Sequence, residues 1–509
     1  MIAADHLHSA ARLHAHRPMA ICGDEVRSYA DMEERTNRLA NALLAAGLQV
    51  GDRVGTWLEN SIRCIELDFA LAKAGLVRVS LNPRLTGREA EFILQDADAK
   101  AFFHDASFDE AVEALRPNVP TLQTVVRIDA GRAAYEAFLA KGEAREPGIR
   151  FDPEHLYCLF YTSGTTGRPK GVMLSHRAIL QVSYNLTMEC GPLFTGEKIL
   201  LMQPMSHGAG FFVFPYVFKG GCCVIMPQFD PAEVLRLARQ HAIETVKLIP
   251  TMLQRILRVP GVEKAKLPAL RAMIYGASPM PHEPLKQAIE IFGPEKLVQI
   301  YGQSECPVTL TILTADEHRL DNPHPERLTS AGRPWTGVQV RIEDEQGKVL
   351  PDGQVGEVVL RGPHMMSGYW KRPELSAETV KDGWLHTNDM GRKDAAGMVY
   401  LLGRKDEMII SGGYNIAPRE IEDVLYQHAA VQEAAVVGEA DPEWGQAVVA
   451  YLALKDDQAD LAEILEHTKK PLGFKRPKRL YVLKELPKNA AGKIQKKGLK
   501  PDIALRRSA

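Results

Sequence analysis

FYTSGTTGRPKGV, residues 160–172, sets four hydroxyl-bearing side chains and two glycines in the six consecutive residues 162–167. An apolar run, LYCLF at 156–160, precedes the loop and reads as a buried strand. SHRAILQVSYNL, residues 175–186, follows with helical spacing, Ser175 standing as its N-cap. The loop thus joins a strand to later helical structure. Gly164 and Gly167 admit backbone conformations closed to other residues and let N–H groups converge on an anion. Thr162, Ser163, Thr165 and Thr166 add hydroxyl donors, and Lys170 adds a point charge suited to phosphate. The sum is a polyphosphate cradle. It is not the P-loop pattern G-x-x-x-x-G-K-[ST], because Gly171 follows Lys170 where Ser or Thr is required. A Ser- and Gly-rich surface turn would use the same residues. The strand before the loop, the Pro169–Lys170 after it and the density of hydroxyls favour the cradle.

Composition bounds the rest. A chain of 509 residues exceeds one ordinary domain. A hydrophobic content of 45% with 25% charged residues fits a globular protein. A net charge of −2 argues against a nucleic-acid binder. Basic residues do gather in the C-terminal stretch, in KKPLGFKRPKRL (469–480) and LKELPKNAAGKIQKKGLK (483–500). That is either a solvated surface or a local positive field near a polyanion. The seven cysteines are scattered, with no C-x-x-C and no zinc spacing, and read as thiols in a reducing compartment. The N-terminus lacks the apolar core of a signal peptide. GFFVFPYVFKGG, residues 210–221, is broken by Pro215 and is too short to span a bilayer. A cytoplasmic protein with small-molecule partners and no integral membrane segment is expected, with a homodimer left open.

Helix-like and strand-like segments alternate through the first two thirds of the chain. SYADMEERTNRLANALLAAGL is an amphipathic helix with a capping box between Ser28 and Asp31. RVGTWLEN, VRVSLN, ETVKLIP, RAMIYGA and KLVQIYG read as strands, and PAEVLRLARQHAI, PTMLQRIL and EPLKQAIEIFG as helices. Such alternation predicts an α/β fold of parallel sheets covered by helices. From about residue 330, short β-like runs and Gly or Pro-Asp-Gly turns predict an antiparallel sheet or small barrel. A further α/β segment follows LLGRKDEMII, so a boundary is placed at Lys405–Asp406.

YTSGTTGRPKGV resembles the signature loop of the adenylate-forming enzymes, the superfamily of acyl-CoA synthetases, peptide-synthetase adenylation domains and beetle luciferases. Further motifs of that family stand in order along nearly the whole chain. The resemblance implies a large N-terminal domain at 1–404, with a β-rich subdomain at about 330–403, and a small mobile domain at 405–509. It assigns ATP phosphates to Thr162–Gly167 and Lys170. YGASPM (275–280) would lay the backbone of Gly276, Ala277 and Ser278 along the adenine. IYGQSE (300–305) would stack Tyr301 on the base, bond phosphate through Ser304 and hold Mg²⁺ on Glu305, with Thr166 as a second metal contact. Asp389 in GWLHTNDMG would clamp the ribose hydroxyls, although the family has Gly where Asn388 stands. Arg404 would contact ribose or phosphate.

Asp406 matches the family's hinge, and Ser411, Gly412, Gly413 and Tyr414 would line the pantetheine tunnel after rotation. Lys493, in LPKNAAGKIQKK (486–497), matches the adenylation lysine that bridges the substrate carboxylate and the α-phosphate. His207 in PMSHGAGFF lies beside the acyl site by resemblance, with Gly208, Phe211, Phe212 and Gly302 forming an apolar pocket. The reaction implied is ATP-dependent activation of a carboxylic acid, a medium- or long-chain fatty acid, to acyl-AMP, then transfer to CoA. Aryl or dicarboxylic acids are alternatives, the latter needing a pocket cation such as Arg255. So are a carrier-protein acceptor, a luciferase-like oxidative enzyme and a non-catalytic nucleotide sensor.

Overall fold

The computed structural model describes residues 2–129, 131–162, 169–190, 193–456, 458–489, 494–501 and 504–507. Local sequence sets its helices directly. Ser28 Oγ accepts from the Asp31 N–H and Asp31 accepts from the Ser28 N–H, so the helix Tyr29–Ala45 opens on a closed capping box. Met32, Leu39, Ala40 and Leu43 lie on its buried face. Ser175 caps the helix His176–Glu189 by accepting from the Ala178 N–H.

Two large sheets build the N-terminal region. In the nine-stranded sheet the centre is parallel, in the order Leu297–Tyr301, Ala272–Gly276, Thr245–Leu248, Lys198–Leu201, Cys222–Ile225 and Pro18–Cys22. The seven-stranded sheet runs parallel through Leu156–Thr162, Val77–Leu81, Arg53–Trp57, Ala99–Asp105 and Thr124–Ile128. Its strands are buried along almost their whole length because elements cover both faces.

The sequence reading passes from the loop to the helix with no strand between them, and the structure differs. Lys170–Ser175 pairs antiparallel with Leu156–Thr162, Lys170 opposite Thr162, so a second strand stands between the Thr- and Gly-rich stretch and the helix. KGVMLS shows no alternation because Gly171, Val172, Leu174 and Ser175 are all buried. Residues 163–168 lie outside the described residues, and with them the expected phosphate contacts Ser163, Gly164, Thr165, Thr166 and Gly167.

A five-stranded antiparallel sheet follows, built on Gln339–Glu343, Gly356–Arg361, Trp384–Lys393 and Val399–Arg404. It starts later than the change in sequence character, since Arg333–Pro334 is an edge of the nine-stranded sheet. The 3₁₀ turn Lys405–Glu407 separates it from the last sheet, whose long strands are Val431–Asp441 and Gly445–Leu454. The helices Pro418–Tyr426 and Leu461–Leu472 share a core with that sheet through Ile421, Leu425 and Ile464. GFFVFPYVFKGG forms a 3₁₀ turn, Gly210–Phe212, and a short buried helix, Val213–Phe218. Among the described residues no helix is long and apolar enough to cross a membrane. All seven cysteines are free thiols.

Candidate active site

Parallel strands end on one edge, where ligands gather in α/β sheets. Here the carboxyl ends of strands from both large sheets face a cleft of about 930 Å³. Phe160 comes from the seven-stranded sheet; Lys247, Ala277 and Gly302–Ser304 come from the nine-stranded one. The C-terminal region closes the cleft with Glu433, Lys484, Glu485 and Lys488.

Close backbone contact fixes part of the wall. A Cβ on Gly276 would lie 2.1 Å from the Ile300 carbonyl oxygen, and one on Gly302 would lie 2.5 Å from the Val308 nitrogen. Neither site admits a side chain. Ala277, with φ of 72°, sits in the left-handed region, which costs a residue bearing a Cβ about 1 kcal/mol. Gly276–Ala277 is thus a ledge of main chain. Ala277 lines the cleft; Ser278 is half-buried beside it and does not.

Next to the ledge, polar groups converge on one carboxylate. Tyr301 donates its hydroxyl to Asp389. Gln303 Nε2 donates to the same carboxylate at 2.6 Å, and Arg404 Nη1 donates to its other oxygen at 3.1 Å. Burial and the Asp389 charge hold the Tyr301 phenol well above its usual range. Arg404 is held above its own range despite burial, chiefly by Asp389. Tyr301 therefore takes part in the cluster through its hydroxyl. Asn388 takes a φ of 58°, which Asn tolerates in place of Gly. Its N–H donates to Glu357 at 2.9 Å and its amide to Asp406 Oδ1 at 3.4 Å.

A second cluster lies where Lys170–Ser175 meets a two-residue strand. Gly368–Tyr369 pairs with Lys170–Ser175, which brings the Tyr369 ring to 4.7 Å from Lys170 Nζ. The Tyr369 hydroxyl donates to Glu305 Oε1 at 2.6 Å. Glu305 Oε2 has no hydrogen-bond partner among the described residues. No group of three His, Cys, Asp or Glu could hold a metal among the described residues. A cation on Glu305 would thus take its remaining oxygens from nucleotide and water, as Mg²⁺ does. Ser304 lines the neighbouring cleft.

The far end of the cleft is apolar at its entrance. Phe160 meets His207 edge-on at 5.2 Å and Phe211 at 5.8 Å. Burial, with Arg78 nearby, pushes His207 down to about 4, so its ring is neutral near pH 7. His207 Nδ1 lies 3.2 Å from Ser206 Oγ and 3.4 Å from Asn82 Nδ2. Gly208 has open space beyond its Cα. Phe212 does not line the cleft, against expectation: it is buried in the core with Phe214 and Val217. Successive residues of a 3₁₀ turn point about 120° apart, so Phe211 and Phe212 cannot share a face.

Other expected residues stand apart. Gly412 and Gly413, with φ of 58° and 82°, make the two-residue turn of a hairpin between Ser411 and Tyr414. None of the four lines the cleft. Asp406 lies in the Lys405–Glu407 turn. Lys493 is outside the described residues; nearby, Lys488 bridges to Ile494 and pairs with Glu433 at 2.7 Å and Glu485 at 2.9 Å. Arg255 also lines the cleft, its guanidinium 4.9 Å over the Phe229 ring. Sequence reasoning missed Gln303, Tyr369 and Lys247. Gln303 sits inside a quoted motif; Lys247 is a charge within an otherwise buried strand.

Two family models, described as AMP-binding enzyme and AMP-binding enzyme C-terminal domain, match residues 7–370 and 420–493. The chain belongs to the AMP-binding enzymes. A medium/long-chain-fatty-acid–CoA ligase, FadD8 of Mycobacterium tuberculosis, is 33% identical over 96% of this AMP-binding enzyme and 88% of its own length. A feruloyl-CoA synthase of an Amycolatopsis species is 34% identical over 96% of both chains. Among solved structures, ATP-bound MatB from Rhodopseudomonas palustris superposes with a TM-score of 0.88 at 30% identity, covering 98% of each chain. The mixed α/β fold with large N-terminal and small C-terminal domains is that of the adenylate-forming superfamily.

Proposed function

We propose that this AMP-binding enzyme is an AMP-forming acid–CoA ligase. One observation carries the reading: the Asp389 carboxylate cluster, the Lys170–Tyr369–Glu305 cluster and an acid-sized cleft are joined through the consecutive residues Tyr301–Glu305 at the end of the strand Leu297–Tyr301. A carboxylate is a poor electrophile because oxide is a poor leaving group. Attack of its oxygen on the α-phosphorus of ATP releases pyrophosphate and leaves a mixed anhydride with AMP. Asp389 accepts the ribose hydroxyls and the ledge at Gly276–Ala277 receives the adenine. Lys170 and the loop before it hold the phosphates. Bound Mg²⁺ would neutralise phosphate charge at Glu305. Lys493 then bridges the carboxylate and the α-phosphate. The acid is already ionised, so no general base is needed and a neutral His207 suffices as a wall. Catalysis is positioning plus electrostatic stabilisation.

In the second half-reaction the CoA thiol loses its proton, its sulfur attacks the acyl carbon and AMP leaves. Residues 411–414 lie off the cleft, so this step needs the small domain to turn at Asp406. The named relatives are a fatty-acid–CoA ligase and a feruloyl-CoA synthase, which supports CoA as acceptor. Free thiols throughout favour a reducing, cytoplasmic setting. The test is pyrophosphate exchange and thioester formation over a panel of acids with CoA or a carrier protein as acceptor. Exchange without CoA thioester would reassign the acceptor; no exchange with any acid would refute the reading.

A further inference from the structure

Lys247 is the third residue of the strand Thr245–Leu248, all four residues of which are buried. Its residue is 3% exposed, yet it lines the acid end of the cleft, with Nζ 5.9 Å from the Phe212 ring centroid. Nζ donates to the Leu248 carbonyl at 2.7 Å. An ammonium carries three donors, and among the described residues no carboxylate pairs with this one. Other buried cations of the chain do have such partners: Arg78 faces Asp68 at 2.6 Å and Lys73 faces Glu33 at 2.7 Å. Burial pushes the Lys247 amine down to about 7, opposed only by the Cys190 thiol. A buried amine with one carbonyl bond and no carboxylate beside it is unfavourable in its charged form unless something completes it. Here the open side faces a ligand cavity.

We infer that Lys247 recognises a second acidic oxygen group, carboxyl or phenol, at the end of the acid remote from the reacting carboxylate. The substrate class is then dicarboxylic or hydroxyaryl acids, and this rests on the acid–CoA ligase reading above. An acidic oxygen would share its proton with the amine and take up the donors that the Leu248 carbonyl leaves over among the described residues. A plain alkyl tail would bury that donor without a partner. Discrimination of this kind is large, because the analogue lacking the oxygen leaves a polar group unpaired.

The test uses matched pairs of acids: octanoate with suberate, hexanoate with adipate, benzoate with 4-hydroxybenzoate, and cinnamate with 4-hydroxycinnamate. Wild-type enzyme should favour the oxygen-bearing member of at least one pair by about 10-fold or more in kcat/KM. Lys247→Met, close in length and apolar, should lower that member, raise its plain partner and so erase the preference. The diacid and phenol arms identify which oxygen is read. Plain acids preferred in every pair by the wild-type enzyme would overturn the inference and leave the ligase reading standing. That comparison needs no variant to fold. Failure to exchange pyrophosphate with any acid would instead refute the ligase reading, and the inference with it.

Discussion

Asp389 and Arg404 stand opposite one another on antiparallel strands, with Arg404 Nη1 3.1 Å from Asp389 Oδ1. Tyr301 and Gln303 bind the same carboxylate from the neighbouring sheet. One side chain thus ties the antiparallel sheet to the parallel one. Asp389→Asn keeps the shape and removes the charge. We expect kcat/KM for ATP to fall by about 10- to 100-fold, the range of a lost charge-assisted hydrogen bond. The affinity for the acid should hardly change. Steady-state kinetics with each substrate varied in turn checks the split.

Tyr369→Phe removes a hydroxyl from Glu305 but keeps the ring beneath Lys170. Glu305 would lose the donor that orients it. The Mg²⁺ concentration for half-maximal exchange should rise several-fold while the melting temperature stays near that of the wild type. Chelation of the metal should stop exchange in both proteins. An unchanged Mg²⁺ titration would mean that Glu305 does not face the metal.

Lys493→Ala should slow adenylation by about 10²–10³, the range for a lost transition-state charge contact. Thioester formation from synthetic acyl-adenylate and CoA should survive. Equal loss in both half-reactions would remove the separate role proposed for Lys493.

Asp406→Pro fixes φ near −65° and should preserve pyrophosphate exchange while slowing acyl-CoA release. Asn388 gives a second handle on the same turn, through its 3.4 Å contact to Asp406. Asn388→Ala should cost about 1 kcal/mol in denaturant unfolding, because φ of 58° disfavours a plain Cβ. Asn388→Gly should be tolerated in stability and alter only the rate of the CoA step. If Asp406→Pro affects both half-reactions alike, the pivot lies elsewhere.

Lys247 also predicts a pH signature. Its amine is depressed from 10.5 to about 7 in the folded chain. Between those values the unfolded chain binds the proton and the folded chain does not, so stability rises with pH across that window. Lys247→Met should therefore exceed the wild type in melting temperature most at or below about pH 7, with the gap closing towards pH 10. A gap independent of pH would mean that the amine stays charged in the folded state.

Much of the fold was legible because local signals agreed with the tertiary arrangement. The Ser28–Asp31 capping box and the alternation of apolar strands with amphipathic helices gave the covered parallel sheets. What was missed depended on who meets whom. The strand Lys170–Ser175 is buried on both faces and so carries no alternation. Tyr369 reaches Lys170 only because Gly368 pairs with Met173, far away in sequence. Thr245 and Lys247 occupy alternate positions, which reads as a solvent face; in a sheet covered on both sides, that face is buried and opens to the cleft at Lys247. Phe212 lies in the core because neighbours in a 3₁₀ turn face different ways, which adjacency in sequence does not reveal. Ser163–Gly167 and Lys493 rest on motif resemblance alone.

The ledge at Gly276–Ala277 bears on how such an enzyme diversifies. What it presents to a ligand is peptide N–H and C=O, which are the same whatever residue is encoded, and the Ile300 carbonyl forbids any side chain at Gly276. The opposite end of the cleft is written in side chains: Lys247, His207 and Phe211. A single codon change can rewrite that wall, while the ledge has nothing comparable to mutate. Descendants of such a chain can exchange one acid for another and inherit the same nucleotide, so the two specificities drift on separate clocks.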